Sequence, residues 1–209
     1  MADWTTISSL ATAGGTLVLA VATFASVRSA NRSSRAAERA VQLSMRPVLV
    51  PARFEDRAEK VGFADDRWLK VEGGRVGIDV TDTAIYLVMP LRNVGNGIAV
   101  LDRWTITERA EGGGDRHGDI DTFRRLTRDL YVPAGDNGFW QGALRDPDEP
   151  LFAMVRDAVA ERRPLSMELL YGDHEAGQRT ITRFAFIPHG DTWLATSSRY
   201  WYLDQPNAR

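Results

Sequence analysis

Residues 85–108 read IYLVMPLRNVGNGIAVLDRWTITE, two apolar runs on either side of Asn96-Gly97. Asn-Gly readily takes the positive φ angles of a tight turn, so the stretch predicts a β-hairpin with strands before and after it. The pattern on both sides of this stretch is also period two. PVLVPARF (47–54) reads as a first strand whose Pro47 and Pro51 place it at an edge. WLKVEGG (68–74) and RVGIDVTD (75–82) are short strands broken at Gly73-Gly74. Downstream, RDLYVPAGDNGFWQGAL (128–144) predicts two strands around residues 135–138, and AEGGGDRHGD (110–119) a polar loop.

SMELLYGD (166–173) and RTITRFAFIP (179–188) form a further hairpin across His174-Glu175-Ala176-Gly177. WLATSSRYWYLD (193–204) closes the chain, with Trp193, Ala195, Trp201 and Leu203 on one face and Tyr200 and Tyr202 on the other. One helix interrupts the strands in DPDEPLFAMVRDAVAERR (146–163). Asp146 and Asp148 stand as caps and Pro150 in the first turn, Leu151, Phe152, Val155 and Val159 form an apolar face, and Pro164 stops it. Many short strands at close spacing predict a mainly β domain over residues 46–205. Its expected form is an antiparallel immunoglobulin-like β-sandwich with one inserted helix.

The first 46 residues are of another kind. Between Asp3 and Arg28 there is no charge, and Ile7–Val27 is long enough, at about 1.5 Å per residue, to cross a hydrocarbon core of about 30 Å. A signal peptide calls for a basic start where Asp3 stands, and a core helix rarely runs so far without a charge. Residues 7–27 are therefore read as a transmembrane helix after a short tail (1–6). Arg28, Arg32, Arg35, Arg39 and Arg46 follow at steps of four, three, four and seven, one basic stripe, and residues 28–45 are read as a basic juxtamembrane helix. With only Asp3 on the other side, the positive-inside rule puts the C-terminal domain in the cytoplasm. Gly14-Gly15 and the Ala-rich helix make a second copy of the chain one candidate partner.

The chain has 209 residues and a net charge of −2. Five of its 26 basic and two of its 28 acidic residues fall within 1–46, a net +3, which leaves the remainder at −5. Twenty-four of the basic residues are Arg and two are Lys. An acidic folded part argues against a duplex-binding face, so no nucleic-acid partner is expected. Without cysteine there is no disulfide, thiolate nucleophile or Cys-ligated metal.

Chemistry-bearing motifs are sparse. Gly95-Asn96-Gly97 lacks the following helix of a phosphate cradle. His117, His174 and His189 fall in no metal-ligand spacing, and Asp119/Asp121 and Asp146/Asp148/Glu149 lack the register of a calcium loop. No G-x-S-x-G occurs, and Ser197 or Ser198 with His174 have nothing in sequence to join them. No catalytic, cofactor or metal residue is assigned, and no cofactor is expected. The candidate recognition residues are Asp173, His174 and Glu175 at the hairpin tip and Tyr200 and Tyr202 on the last strand.

VRSANRSSRAAERA (27–40), LRNVGNGIAVLDRW (91–104), RDLYVPAGDNGFWQG (128–142) and LLYGDHEAGQRTITRF (169–184) together resemble a family of uncharacterised single-pass bacterial membrane proteins of about this length. The resemblance implies a C-terminal β-sandwich-like domain behind a membrane anchor and carries no activity. Asn93–Ala99 is also similar to hairpins of bacterial immunoglobulin-like modules. The functional expectation is a single-pass cell-membrane protein, non-catalytic, that presents its domain at the cytoplasmic face as a scaffold or accessory subunit. Its partners would be the bilayer, through residues 7–27, and a protein of unknown identity. The alternatives are a self-assembling envelope component and a hydrolase with a site near Asp173, His174 and Glu175.

Overall fold

The structure, a computed structural model, describes residues 4–108, 114–175 and 177–205. It divides into two units, Met1–Ser44 and Met45–Arg209. The expected C-terminal tail, 206–209, lies outside the described residues.

The first unit is one helix, α1 (Trp4–Ser44), continuous through both the apolar and the arginine-bearing segment. By length and composition it can cross a membrane. Hydroxyl residues dilute its apolar character, but Thr12, Thr16 and Ser26 each donate to the carbonyl four residues back, so these polar groups are satisfied within the helix.

The second unit is mainly β. Its strands are β1 (Leu49–Pro51), β2 (Glu59–Gly62), β3 (Trp68–Val71), β4 (Arg75–Val80), β5 (Ile85–Asn93), β6 (Ala99–Glu108), β7 (Arg124–Val132), β8 (Asn137–Leu144), β9 (Leu165–Gly172), β10 (Arg179–His189) and β11 (Thr192–Tyr202), with helix α2 (Pro150–Ala160) between β8 and β9. Nine strands form one antiparallel path, β1-β5-β4-β11-β10-β9-β6-β7, with β8 on the far edge of β5, and β2 pairs with β3 alone. The result is a curled half-barrel. Its hydrogen bonding does not separate into the two sheets of an immunoglobulin-like sandwich.

Wrapping the sheet puts a core inside it. Leu87, Met89, Trp104, Trp140, Met167, Phe184 and Phe186 meet Phe152, Val155 and Ala158 of α2 there. Val61, Phe63, Leu69 and Val71 of the β2–β3 region cover the outer side of β5 at Tyr86 and Val88, which explains why β5 reads as a continuous apolar run. Pro90 is tolerated in that central strand because β5 changes partner there: Val88 pairs with Gly77 of β4, and Leu91 with Pro51 of β1. The hairpin across residues 173–178 and the edge position of β1 are as expected.

Three local expectations give way to tertiary demands. The Asn96-Gly97 hairpin is not formed, since β5 pairs with β1, β4 and β8 while β6 pairs with β7 and β9. Neither residue is among the described positions with positive φ. Residues 94–98 cross between the two halves of the barrel instead, and the glycines there serve close approach. A Cβ on Gly97 would fall 1.7 Å from the Met45 carbonyl oxygen, and one on Gly95 would fall 2.3 Å from that of Arg46. Asn93, fully buried, ties this crossing together. Its Nδ2 donates to the carbonyls of Gly97 (2.7 Å) and Val132 (3.0 Å), and its Oδ1 accepts from the backbone N–H of Val48 (3.1 Å) and Gly95 (3.0 Å).

Second, β11 does not keep one face. Phe184 stands opposite Ser197 and Arg183 opposite Arg199, so Ser198 is an extra, bulged residue whose hydroxyl donates to the Arg183 carbonyl. The bulge exchanges the faces. Tyr200 and Tyr202 lie opposite Thr182 and Thr180, on the side of Phe184 and Trp193, whereas Trp201 turns to the outer cluster of Phe123, Leu170 and Ile181. Third, α2 starts at Glu149 without a side-chain cap bond, and Asp146 instead accepts from the Asp148 N–H in the turn before it.

Candidate functional site: an arginine-lined cleft between β7 and β8

The two strands that end the half-barrel, β7 and β8, touch where Val132 meets Gly138 and share no ladder. Toward the other end they frame a cleft of about 510 Å³. The register explains its shape. Arg124 and Arg125 pair with Trp104 and Arg103, and pairing resumes only at Leu130 opposite Leu101, so residues 126–129 bow out of the β6–β7 ladder. Trp104 forms the floor, edge-to-face on Trp140 with ring centroids 5.1 Å apart. Gly142 keeps the floor open: a Cβ there would lie 2.7 Å from the Trp140 ring and 2.8 Å from that of Trp104.

Arg124, Arg125, Arg128 and Arg145 line this cleft with Gln141 and Phe63. Their charges are not equally compensated. Arg124 is paired with Glu149 at the start of α2. Arg145 bonds Asp65, its Nε 3.1 Å from Oδ2, and Asp65 also accepts from the Tyr86 hydroxyl at 2.6 Å. Hydrogen bonds from Tyr86 and Arg145 hold the Asp65 carboxyl below its ordinary value, and the bond to Asp65 together with burial pushes the Tyr86 hydroxyl up. Among the described residues Arg128 meets neutral acceptors alone, Oε1 of Gln141 at 2.5 Å and the Gly62 carbonyl at 3.0 Å, and it lies over the Phe139 ring. Arg125 is exposed and makes no ion pair or hydrogen bond among the described residues. Among the described residues, the carboxylate lining the cleft is that of Asp146. Arg125 and Arg128 thus line a cleft floored by Trp104 without a carboxylate partner among the described residues, and guanidinium forks can hold an oxyanion by paired hydrogen bonds.

The residues singled out from sequence lie elsewhere. Arg28, Arg32, Arg35 and Arg39 are exposed on α1. Asp173, His174 and Glu175 form the β9–β10 tip, where the Asp173 carboxylate accepts from the Gly177 N–H and His174 stands 4.0 Å from Glu175, both well exposed. No group of three His, Cys, Asp or Glu that could hold a metal occurs among the described residues. Tyr200 and Tyr202 meet with tilted rings, centroids 5.3 Å apart, near the same end of the sheet, and Tyr202 lies under the Arg46 guanidinium at 4.2 Å. Arg46 is itself buried and bonds both oxygens of Asp204, at 3.1 and 2.5 Å, so it clasps the two ends of the domain and does not extend the basic stripe of α1. Burial opposes ionisation of Asp204, but the bond and charge of Arg46 together with backbone hydrogen bonds keep that carboxyl below its usual range.

Sequence reading passed over the cleft. Its signal was FRRLTRDLY (123–131), a strand with arginine at consecutive positions where alternation would leave one face apolar.

No protein-family model matches the chain, and no curated protein matches it. Among solved structures, a β-glucosidase from Kluyveromyces marxianus aligns over 60% of this chain at 13% identity and a TM-score of 0.24, and this chain spans only 14% of that enzyme. A protein described as ApaA from Bordetella pertussis aligns over 64% of this chain and 95% of its own length, at 11% identity and a TM-score of 0.22. At those scores neither likeness bears on fold or activity.

Proposed function

We propose that this chain is a membrane-anchored, non-catalytic binding module that acts as a scaffold or accessory subunit and holds an anionic partner in the β7–β8 cleft. The observation that carries this reading is that Arg125 and Arg128, neither paired with a carboxylate among the described residues, line one cleft floored by Trp104. A charge left without an ion-pair partner at a concave, part-apolar surface is a recognition element, since the fold gains little from holding it there.

The bilayer is the second partner, through residues 7–27. The four arginines after the apolar segment, against Asp3 before it, support a cytoplasmic domain. An immunoglobulin-like module would serve the same role, and the proposal does not depend on that finer fold description. The test is cross-linking and detergent co-purification from cells making the full chain at native level. Reproducible co-purification that is lost on combining Arg125→Glu with Arg128→Glu supports the reading. A chain that is always recovered alone overturns it.

A further inference from the structure

The class of anion follows from which guanidinium forks at the cleft are left without a carboxylate, and this inference rests on the binding-module reading above. Arg124 and Arg145 are already engaged by Glu149 and Asp65. Arg125, the last paired residue before β7 bows out, and Arg128, within the bow, remain without carboxylate partners among the described residues. Asp146 also lies on the cleft wall, so the number of acceptor oxygens selects the ligand where net charge does not. A carboxylate offers two acceptor oxygens, whereas a phosphate monoester, which carries about −1.5 to −2 near pH 7, offers three and can accept from two forks at once.

The rest of the cleft fits the other half of such a molecule. Trp104, Phe63, Leu126 and Ala143 supply an apolar wall beside the arginines, and 510 Å³ lies within the range of pockets that take small organic ligands. Arg128 is anchored by Gln141 and Gly62, so one fork is already oriented, while Arg125 is free of such bonds and can close over the ligand.

We infer that the cleft between β7 and β8 binds a phosphate monoester, Arg125 and Arg128 gripping the phosphate and the Trp104–Phe63 wall taking the organic group. Two sources present this chemistry to a tethered domain: a soluble organic phosphate, or the headgroup of a lipid such as phosphatidic acid.

The test uses the full chain in detergent micelles titrated with phenyl phosphate, inorganic phosphate and phenylacetate, followed by tryptophan fluorescence and by the shift in thermal unfolding. Expected are saturable binding of phenyl phosphate, at least tenfold weaker binding of phenylacetate, and at least tenfold loss on either Arg125→Glu or Arg128→Glu. Arg53→Glu, at an exposed site far along the chain, leaves binding unchanged. Lowering the pH from about 7 to about 5 protonates the monoester, whose second pKa is about 6, and weakens binding while the arginines stay charged.

Repeating the titration in phosphatidylcholine nanodiscs with and without phosphatidic acid separates the sources. Competition by phosphatidic acid assigns the headgroup, and equal affinity in both discs assigns the soluble ester. Absence of saturable phosphate binding, equal affinity for phenylacetate, or indifference to both arginine variants overturns the inference. If it fails while co-purification still depends on Arg125 and Arg128, the module reading stands and only the ligand class falls. If phosphate binds and no partner co-purifies, the reverse holds.

Discussion

Arg183 and Glu168 stand opposite each other on β10 and β9, 2.7 Å from Nε to Oε1, each side chain only 7% exposed. Both have further work on the outer face of the sheet. Arg183 donates to the carbonyls of Gly114 and Arg116 and lies over Trp201, while Oε2 of Glu168 accepts from the Gly118 N–H. The pair is therefore the post on which residues 114–118 hang, and the fully made hydrogen bonds are what make a buried charge pair tolerable. Removing one member leaves the other charged and dry. Glu168→Leu is expected to cost about 3–5 kcal/mol, read from urea unfolding of the full chain in micelles, and Glu168→Leu with Arg183→Met to recover a large part of that loss. Additive single and double losses would show that the two are not coupled.

Asn93 is the corresponding polar post inside the barrel. Truncating it leaves four backbone partners without their bond, in segments 48, 95–97 and 132. With about 1–3 kcal/mol for each buried group left unsatisfied, Asn93→Ala is expected to destabilise the domain by about 3 kcal/mol or more. Asn93→Asp should be no better, because a carboxylate cannot donate to the Gly97 and Val132 carbonyls. Gly97→Ala is expected to match these losses, since the Met45 carbonyl stands in the way.

The Asp65–Tyr86–Arg145 contact beside the cleft responds to pH at both ends of the scale. Asp65 has a depressed carboxyl, so its contribution is present above the ordinary aspartate value near 3.9 and is lost as pH falls through the lower folded value. Because this side chain is more than a third exposed, the acid effect is small. Tyr86 has a raised hydroxyl, so its contribution is complete below about pH 10 and disappears as pH rises through the higher folded value. Burial pushes Tyr171 in the same direction. Alkaline unfolding monitored by tyrosinate absorbance should therefore begin above about pH 10, and Tyr86→Phe should flatten that dependence. A variant with an unchanged alkaline profile would remove Tyr86 as its source.

The orientation proposed for the anchor can be checked by charge reversal. Replacing Arg28, Arg32, Arg35 and Arg39 with Glu removes the cytoplasmic bias of the segment after the span. Protease accessibility of a C-terminal tag in spheroplasts should then rise from protected to cleaved in a substantial fraction of molecules. Equal protection of both forms would show that these arginines do not set topology.

Much of the architecture was legible in local pattern. The uncharged run before Arg28 marks a helix because length and charge are properties of a segment by itself. Most of the β elements appear where short-range alternation placed them, although β2 escaped notice because EKVG is too short and mixed to stand out. The β9–β10 hairpin is similarly local, its two strands joined across a six-residue tip. The cleft was not legible, since its walls come from residues 63, 104, 124–128 and 141–146, which only chain wrapping brings together.

By itself, then, the sequence determined a long apolar N-terminal helix followed by an antiparallel β domain with one helix inside it. Tertiary structure decided which strands pair and which side chains face inward. Asn96-Gly97 carries a strong local turn signal, yet Asn93, Gly95 and Gly97 spend their chemistry on backbone drawn in from residues 45–48 and 132. Tyr200 and Tyr202 change faces because one unpaired residue, Ser198, shifts a strict two-residue period by one. Both outcomes have the same physical cause: hydrogen bonds and contacts between residues distant in sequence are worth more than the local preference they override.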